Sequence, residues 1–150
     1  MDDIHNSIVV GFGFADHERL QFTFSAADLA RSRTLHDDWL EPTVSICAGP
    51  FSGAARVYLN ASDFAHLLPQ VQRLYTTLRG IATFESIEGQ VAFTLTGDAK
   101  GHIELAGFLK DRAGGHNSIQ FRLFFDQTAL PRSITQIEAL LRATAKRSRE

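Results

Sequence analysis

The sequence has little that could cross-link it or anchor it in a membrane. Cys47 is its only cysteine, so an internal disulfide and a multi-cysteine metal site are both excluded. No apolar run approaches the roughly 18 residues that a transmembrane helix needs. The first residues, Met1-Asp2-Asp3, lack the basic region that begins a signal peptide. We therefore expect a cytoplasmic protein that does not contact membranes.

Amphipathic aromatic residues are also scarce, with one Trp and two Tyr against 12 Phe. Hydrophobic residues make up 44% of the chain and charged residues 21%. This composition supports a sizeable apolar core and excludes general disorder. A length of 150 residues is typical of one domain, so we expect residues 1–150 to form a single domain.

Neither sign of charge dominates, because 15 Lys and Arg face 17 Asp and Glu. The acidic excess lies in the first half. The C-terminal basic cluster complements the dipole of a final helix; its members are Arg142, Lys146, Arg147 and Arg149. Since no basic stripe occurs elsewhere, binding to nucleic acid is not expected.

Alternating apolar residues predict about eight strands, joined in hairpins and a meander. The strand segments lie at 8–14, 20–24, 44–48 and 55–59, with four more between 82 and 126. A two-residue turn at Glu88-Gly89 would place Phe84 opposite Phe93 and Ala82 opposite Leu95. Because the turn and the apolar pattern agree, this register is the most specific strand prediction.

Two segments have helical periodicity, 61–79 and 133–147. Asn60 is a suitable N-cap for the first, and Pro69 predicts a kink or a restart within it. Ser133 is predicted to cap the second. Residues 26–42 lose the strand pattern and predict a surface loop, although Ser25-Ala26-Ala27-Asp28-Leu29 could start a helical turn.

The fold class is therefore α+β with mainly antiparallel strands. The pattern leaves open whether the strands form one curved sheet, a barrel or a sandwich.

His102 and Glu104 share a strand face and could serve as metal ligands or as an acid–base pair. A third ligand would have to come from His116 or His17. The alternative is a cross-strand ion pair in which Arg122 lies opposite Glu104. We favour that alternative and expect neither a catalytic metal nor an enzyme.

The remaining chemistry-bearing residues are weaker candidates. Gly11-Phe12-Gly13-Phe14 lies in a strand and lacks the context of a phosphate-binding loop. Cys47 lies in the middle of a strand, where most cysteines are buried and inert. No cofactor is expected.

A series of short motifs resembles the WapI-type family of bacterial immunity proteins. The motifs are Gly49-Pro50-Phe51-Ser52-Gly53, Leu78-Arg79-Gly80, Phe84-Glu85-Ser86-Ile87-Glu88, Gly101-His102-Ile103-Glu104-Leu105-Ala106-Gly107, Ile119-Gln120-Phe121 and Asp126-Gln127-Thr128-Ala129-Leu130. Their order over residues 44–141 carries the resemblance. It implies a small cytoplasmic antidote that binds the toxin domain encoded beside it and blocks that toxin in a stoichiometric complex.

The best candidate for such a contact is the acidic loop that contains Asp37, Asp38, Trp39 and Glu41. Trp is favoured at interface hot spots, and an irregular segment can enter a partner's cleft. The alternative role for Trp39 is to close the edge of the core. Phe108, Arg122 and Phe124 form a second candidate surface, because their strand faces mix aromatic and charged residues.

A different function is a small-molecule-binding domain, with a pocket enclosed by a curved sheet and helices. A deep apolar cavity with convergent polar groups would favour that function. A filled core with an exposed acidic and aromatic patch would favour the inhibitor.

Overall fold

A computed structural model describes residues 7–14, 18–34 and 39–145. Its strands are β1 (Ile8–Phe14), β2 (Glu18–Phe24), β3 (Trp39–Leu40), β4 (Thr43–Ala48), β5 (Phe51–Arg56), β6 (Leu59–Asn60), β7 (Arg79–Glu85), β8 (Val91–Asp98), β9 (His102–Lys110) and β10 (Ser118–Asp126). Its helices are α1 (Ala26–Thr34), α2 (Ala61–Thr77) and α3 (Leu130–Thr144), with a 3₁₀ turn at Gln127–Ala129.

The strands form two four-stranded antiparallel sheets and one short ribbon. The first sheet has the order β1-β2-β4-β5, the second β10-β9-β8-β7, and the ribbon pairs β3 with β6. The predicted α+β class is confirmed, and eight strands of the described part have six or more residues. The strand predicted at 55–59 instead forms earlier, at Phe51–Arg56, because the chain reverses within two residues at Gly49-Pro50. Within the described ranges, the sheets do not close into a barrel.

Phenylalanine rings fill the space between the two sheets. Phe12 of β1 lies 5.1 Å from Phe93 of β8, and Phe22 of β2 lies 5.6 Å from Phe84 of β7, between ring centroids. Phe64 of α2 contacts both Phe22 and Phe84, at 5.2 and 4.9 Å. All five rings are buried. The predicted pairs Phe84–Phe93 and Ala82–Leu95 are confirmed.

The first predicted helix forms as one segment, and its capping prediction is correct. The Asn60 side chain accepts a hydrogen bond from the backbone N–H of Ser62, and the Asp63 carboxylate accepts one from the backbone N–H of Asn60. Pro69 does not restart the helix. Proline removes the hydrogen bond to the carbonyl four residues earlier, and here both Pro69 and Ala65 are exposed, so water can hydrate that carbonyl.

The C-terminal helix begins three residues earlier than predicted. Pro131 occupies its first turn, where the missing N–H costs little. Ser133 therefore lies inside α3 and does not cap it. Its hydroxyl instead donates a hydrogen bond to the Gly11 carbonyl, at 2.5 Å.

A third helix, α1, occupies part of the segment predicted as a loop. The Ser25 hydroxyl accepts a hydrogen bond from the backbone N–H of Asp28 and caps its start. Leu29 is the only large apolar side chain of α1 in the buried core, so the helix has no apolar stripe that periodicity could detect. None of the helices in the described ranges has both the length and the apolar character of a membrane span.

Helices cover one edge of each sheet. At the β1 edge, the Gly11 N–H donates to Gln136 of α3, at 2.8 Å, beside the bond from Ser133. At the β7 edge, Gln70 of α2 accepts from the Thr83 N–H at 3.0 Å and donates to the Thr83 carbonyl at 3.4 Å. Side-chain amides thus take the place of a neighbouring strand, which blocks edge-to-edge association there.

Candidate partner-binding surface

The short ribbon anchors the predicted contact segment to the core. Leu40 pairs with Leu59, and both side chains are fully buried. Trp39 pairs with Asn60 and is half-buried. Because alternate residues of a strand face opposite ways, burial of Leu40 turns Trp39 outward.

Trp39 stacks on Tyr58. Their ring centroids are 4.6 Å apart and the planes are inclined by only 4°. Tyr58 is itself exposed, so the pair forms a flat aromatic surface beside the ribbon and does not plug the core. Tyr58 precedes the ribbon strand β6, whereas Trp39 begins β3, and only the β3–β6 ladder brings the two rings together.

Glu41 is held from two sides. The buried Asp28 carboxylate of α1 accepts the backbone N–H of Glu41 at 2.8 Å and also pairs with Arg31. The Arg56 guanidinium, at the end of β5, lies 3.4 Å from the Glu41 carboxylate and also donates to the Glu41 carbonyl. The main chain beside Trp39 is therefore fixed, and the Glu41 carboxylate remains at the surface.

Asp37 and Asp38 lie outside the described residues. Of the four predicted contact residues, the structure therefore describes Trp39 and Glu41. Tyr58 and Arg56 also belong to this surface and were not predicted from the sequence. Both lie on the polar parity of a predicted strand, and no local signal distinguishes them from ordinary surface residues.

His102 and Glu104 engage separate partners and not each other. His102 Nδ1 lies 2.7 Å from Asp98 Oδ2, and Arg122 Nε donates to Glu104 Oε2 at 2.7 Å. The predicted ion pair with Arg122 forms, although the predicted register is wrong, since Glu104 pairs with Phe124. Among the described residues, no three potential ligands are grouped for a metal, and His17 lies outside them.

Hydrogen bonds at the β8–β9 turn lower the pKa of Asp98 to about 2, from 3.8. The largest cause is the His102 side chain, followed by the backbone N–H of Lys100. We expect His102→Ala to raise the Asp98 pKa toward 3.8, measured by NMR titration of the carboxyl group. His116→Ala, at another exposed histidine, is the control and should leave it unchanged. An Asp98 pKa that His102→Ala does not alter would contradict this assignment.

The sign of the pH effect follows from the lowered pKa. Asp98 titrates lower in the folded protein than in the unfolded chain, so its contribution to stability is present above pH 4 or so. That contribution is lost as the pH falls through about 2.

The second candidate surface lies on the outer side of the second sheet. Lys110 Nζ lies 5.6 Å from the centre of the Phe108 ring, and the Arg122 guanidinium lies 5.3 Å from that of Phe124. An open groove of about 520 Å³ runs past Phe108, Gln120 and Arg122. Arg122 is already paired with Glu104, so its charge is compensated within this surface.

Among the described residues, phenylalanine rings fill the centre of the space between the two sheets. Between the sheets, the rings of Phe12, Phe22, Phe84 and Phe93 contact one another at centroid distances of 5.1–6.3 Å. Rings at this spacing leave no room for a ligand between them. This packing weighs against a pocket enclosed by the sheets.

The model of one family, described as the immunity protein WapI-like family, matches residues 12–145. The chain therefore belongs to the WapI-like immunity protein family, which confirms the resemblance of its motifs. Searches of curated proteins and of solved structures returned no match.

Proposed function

We propose that this protein is a cytoplasmic, non-enzymatic inhibitor that neutralises a cognate bacterial toxin domain by stoichiometric binding. The observation that carries the proposal is the family match over residues 12–145. The inhibitor acts by covering the toxin's active site or substrate-binding surface.

The segment around Trp39 is the proposed contact surface. Its support is geometric, because Trp39 and Tyr58 present a flat stacked pair and Asp28 fixes the adjoining main chain. A preorganised aromatic anchor loses little conformational entropy on binding. Trp and Tyr are also enriched among residues that dominate binding energy.

The charge near this surface favours a basic partner. Asp37 and Asp38 immediately precede Trp39 in the chain, and Glu41 follows two residues later. The first 75 residues contain 9 acidic and 5 basic side chains, a net charge of −4. A cation on the toxin could also lie over the exposed aromatic face.

The direct test uses a toxin domain encoded next to the gene. Co-expression should restore growth that the toxin alone arrests, and the purified proteins should form a complex with equal numbers of the two chains. Growth arrest that persists despite soluble expression of both proteins, with no complex formed, would refute the proposal.

Neutralising the acidic pair tests the charge argument. In the Asp37→Asn, Asp38→Asn variant we expect association with the toxin to slow by about tenfold or more at low salt, with a smaller effect at high salt, because both charges steer the encounter. Dissociation should change little. The measurement is surface binding kinetics at two salt concentrations.

A matched control carries the same change in net charge elsewhere. The ribbon lies near the β7–β8 turn, because α2 follows β6 directly and Asp63 in its first turn accepts a hydrogen bond from the backbone of Ile87. Asp98 and Asp126 lie away from that turn, at the ends of β8 and β10. The Asp98→Asn, Asp126→Asn variant should therefore slow association less. Equal slowing in both variants would mean that only net charge matters and that the contact lies elsewhere.

A further inference from the structure

Among the described residues, a side chain bonds the outer edge of β5 only at its end, where Gln90 donates to the Arg56 carbonyl. Helix side chains bond the edges of β1 and β7, and Glu18 accepts the Phe124 N–H at the β10 edge. In the part of the chain that the structure describes, no strand pairs with the outer edge of β5. Its central residues, Ser52-Gly53-Ala54-Ala55, include no charge or proline, the usual means of blocking a free edge.

The hydrogen-bonding groups of Ser52 and Ala54 point away from the sheet. The hairpin has a two-residue turn at Gly49-Pro50, so the closing pair Ala48–Phe51 is hydrogen-bonded, and so is every second pair after it. Ser52 and Ala54 belong to the pairs in between, whose backbone groups point away from β4. The Arg56 carbonyl fits this alternation, because it points outward and accepts a hydrogen bond from the Gln90 side chain, outside the sheet, at 2.9 Å. No group in the described ranges pairs with the outward N–H and C=O groups of Ser52 and Ala54, so these groups can bond an incoming strand.

An apolar groove lies beside this edge, at the open end of the two sheets. Its apolar lining comes from Gly53 and Ala55 of β5 and from Leu109 and Ile119 of the second sheet, and its volume is about 190 Å³. Polar residues also border it, namely Lys110, Asp111, Asn117 and Ser118. Gly53 and Ala55 pair with the buried Ile46 and Val44, so they lie on the core side but are too small to fill the space. A cavity of roughly 150 Å³ is enough to hold a benzene ring.

Phe51 has an exposed ring of a size that fits such a groove in a second copy of the chain. It lies on the same face of β5 as Gly53 and Ala55, yet 67% of its surface is exposed. If two copies of β5 pair antiparallel about a twofold axis through Gly53, Ser52 bonds Ala54 of the second copy. The same register places Phe51 opposite Ala55 of the second copy, on the face that forms the groove.

We propose that the protein self-associates through β5, as a twofold dimer in which each Phe51 ring fills the groove of the other copy. Exposed ring, small groove residues and free backbone groups lie in self-complementary positions on one strand, as a twofold interface requires. The inference concerns a second copy of this chain and does not depend on the toxin.

Sedimentation equilibrium on the full chain tests the dimer. The wild type should approach twice the 16.6 kDa chain mass as concentration rises. Phe51→Ser should weaken association by about 100-fold, since two rings are lost per dimer. Ala54→Pro should weaken association by a similar factor, because it removes an N–H that would bond Ser52 of the second copy. The monomer should tolerate the change, since that N–H points outward from an edge strand. The control Phe124→Ser removes another largely exposed phenylalanine ring, outside β5, and should remain dimeric.

A cysteine trap tests the register. In a Cys47→Ser background, Gly53→Cys places two Cβ atoms across the twofold axis with Cα atoms about 4.5 Å apart, within disulfide reach. A Cβ at Gly53 meets no atom within 4 Å, so the fold should accept it. Oxidation should give a covalent dimer for Gly53→Cys and little for Ala54→Cys.

Three results would overturn the proposal. One is a wild type that stays monomeric at the highest soluble concentration. Another is a Phe51→Ser variant that dimerises as the wild type does. The third is preferential cross-linking through Ala54→Cys, which would place Phe51 away from the groove. A toxin complex could still form in each case, so failure here leaves the proposed inhibitor function standing.

Discussion

Replacing Phe93 with Ala is expected to lower the free energy of unfolding by about 3–5 kcal/mol. Phe93 is 2% exposed and its ring contacts Phe84, Phe12 and Phe22, at 5.1, 5.1 and 6.3 Å. The substitution removes the ring from the point where the two sheets meet and leaves a cavity that surrounding rings cannot fill. Urea denaturation at equilibrium measures the loss.

Phe124→Ala is the matched control for the core substitution. The Phe124 ring is 58% exposed on the outer face of the second sheet, so its removal should cost no more than roughly 1 kcal/mol. A Phe93→Ala variant as stable as Phe124→Ala would show that the rings do not form the core described above. An unchanged urea m-value in both variants would indicate that the comparison reports stability alone.

Replacing Trp39 with Ala is expected to have the largest effect on toxin binding. A hot-spot aromatic contributes about 2 kcal/mol or more, which corresponds to a roughly 30-fold faster dissociation. The effect should fall on dissociation because the ring holds the complex after encounter, whereas the acidic pair acts before it. Binding kinetics with the neighbouring toxin domain separate the two rates.

Tyrosine variants provide the controls for Trp39. Tyr58→Ala removes the ring on which Trp39 stacks and should also speed dissociation, by a smaller factor. Tyr75 on α2 has a similar exposure, 42% against 38%, and Tyr75→Ala should leave the rates unchanged. If Trp39→Ala folds normally and binds as the wild type does, the contact surface lies elsewhere, and the face that carries Phe108, Arg122 and Phe124 is the next to test.

The local sequence pattern was sufficient to predict an interaction when both of its partners lie close together in the chain. The Glu88-Gly89 turn and the alternation on either side of it predicted the Phe84–Phe93 pair, because a two-residue turn leaves one register compatible with burial. The Asn60 cap was equally predictable, since its partners Ser62 and Asp63 lie within three residues.

Prediction failed where a distant partner competes with a local one. Ser133 matches a helix cap, but Gly11, on an edge strand 122 residues away, takes its hydroxyl. The β9–β10 register was wrong because the long connecting loop leaves several registers open, and the arginine side chain is long enough to pair with Glu104 diagonally.

The amino-acid pattern alone determines the α+β class, the phenylalanine core and the family motifs, because these depend on periodicity and on short-range order. Only the tertiary structure determines that Trp39 stacks on Tyr58 at the surface. Tyr58 lies 19 residues further along the chain, and Leu40 and Leu59 must be buried side by side before the two rings can stack. The β5 groove likewise depends on Leu109 and Ile119 of the second sheet. A surface is assembled from residues that no local period connects, so it becomes visible only after the core has brought them together.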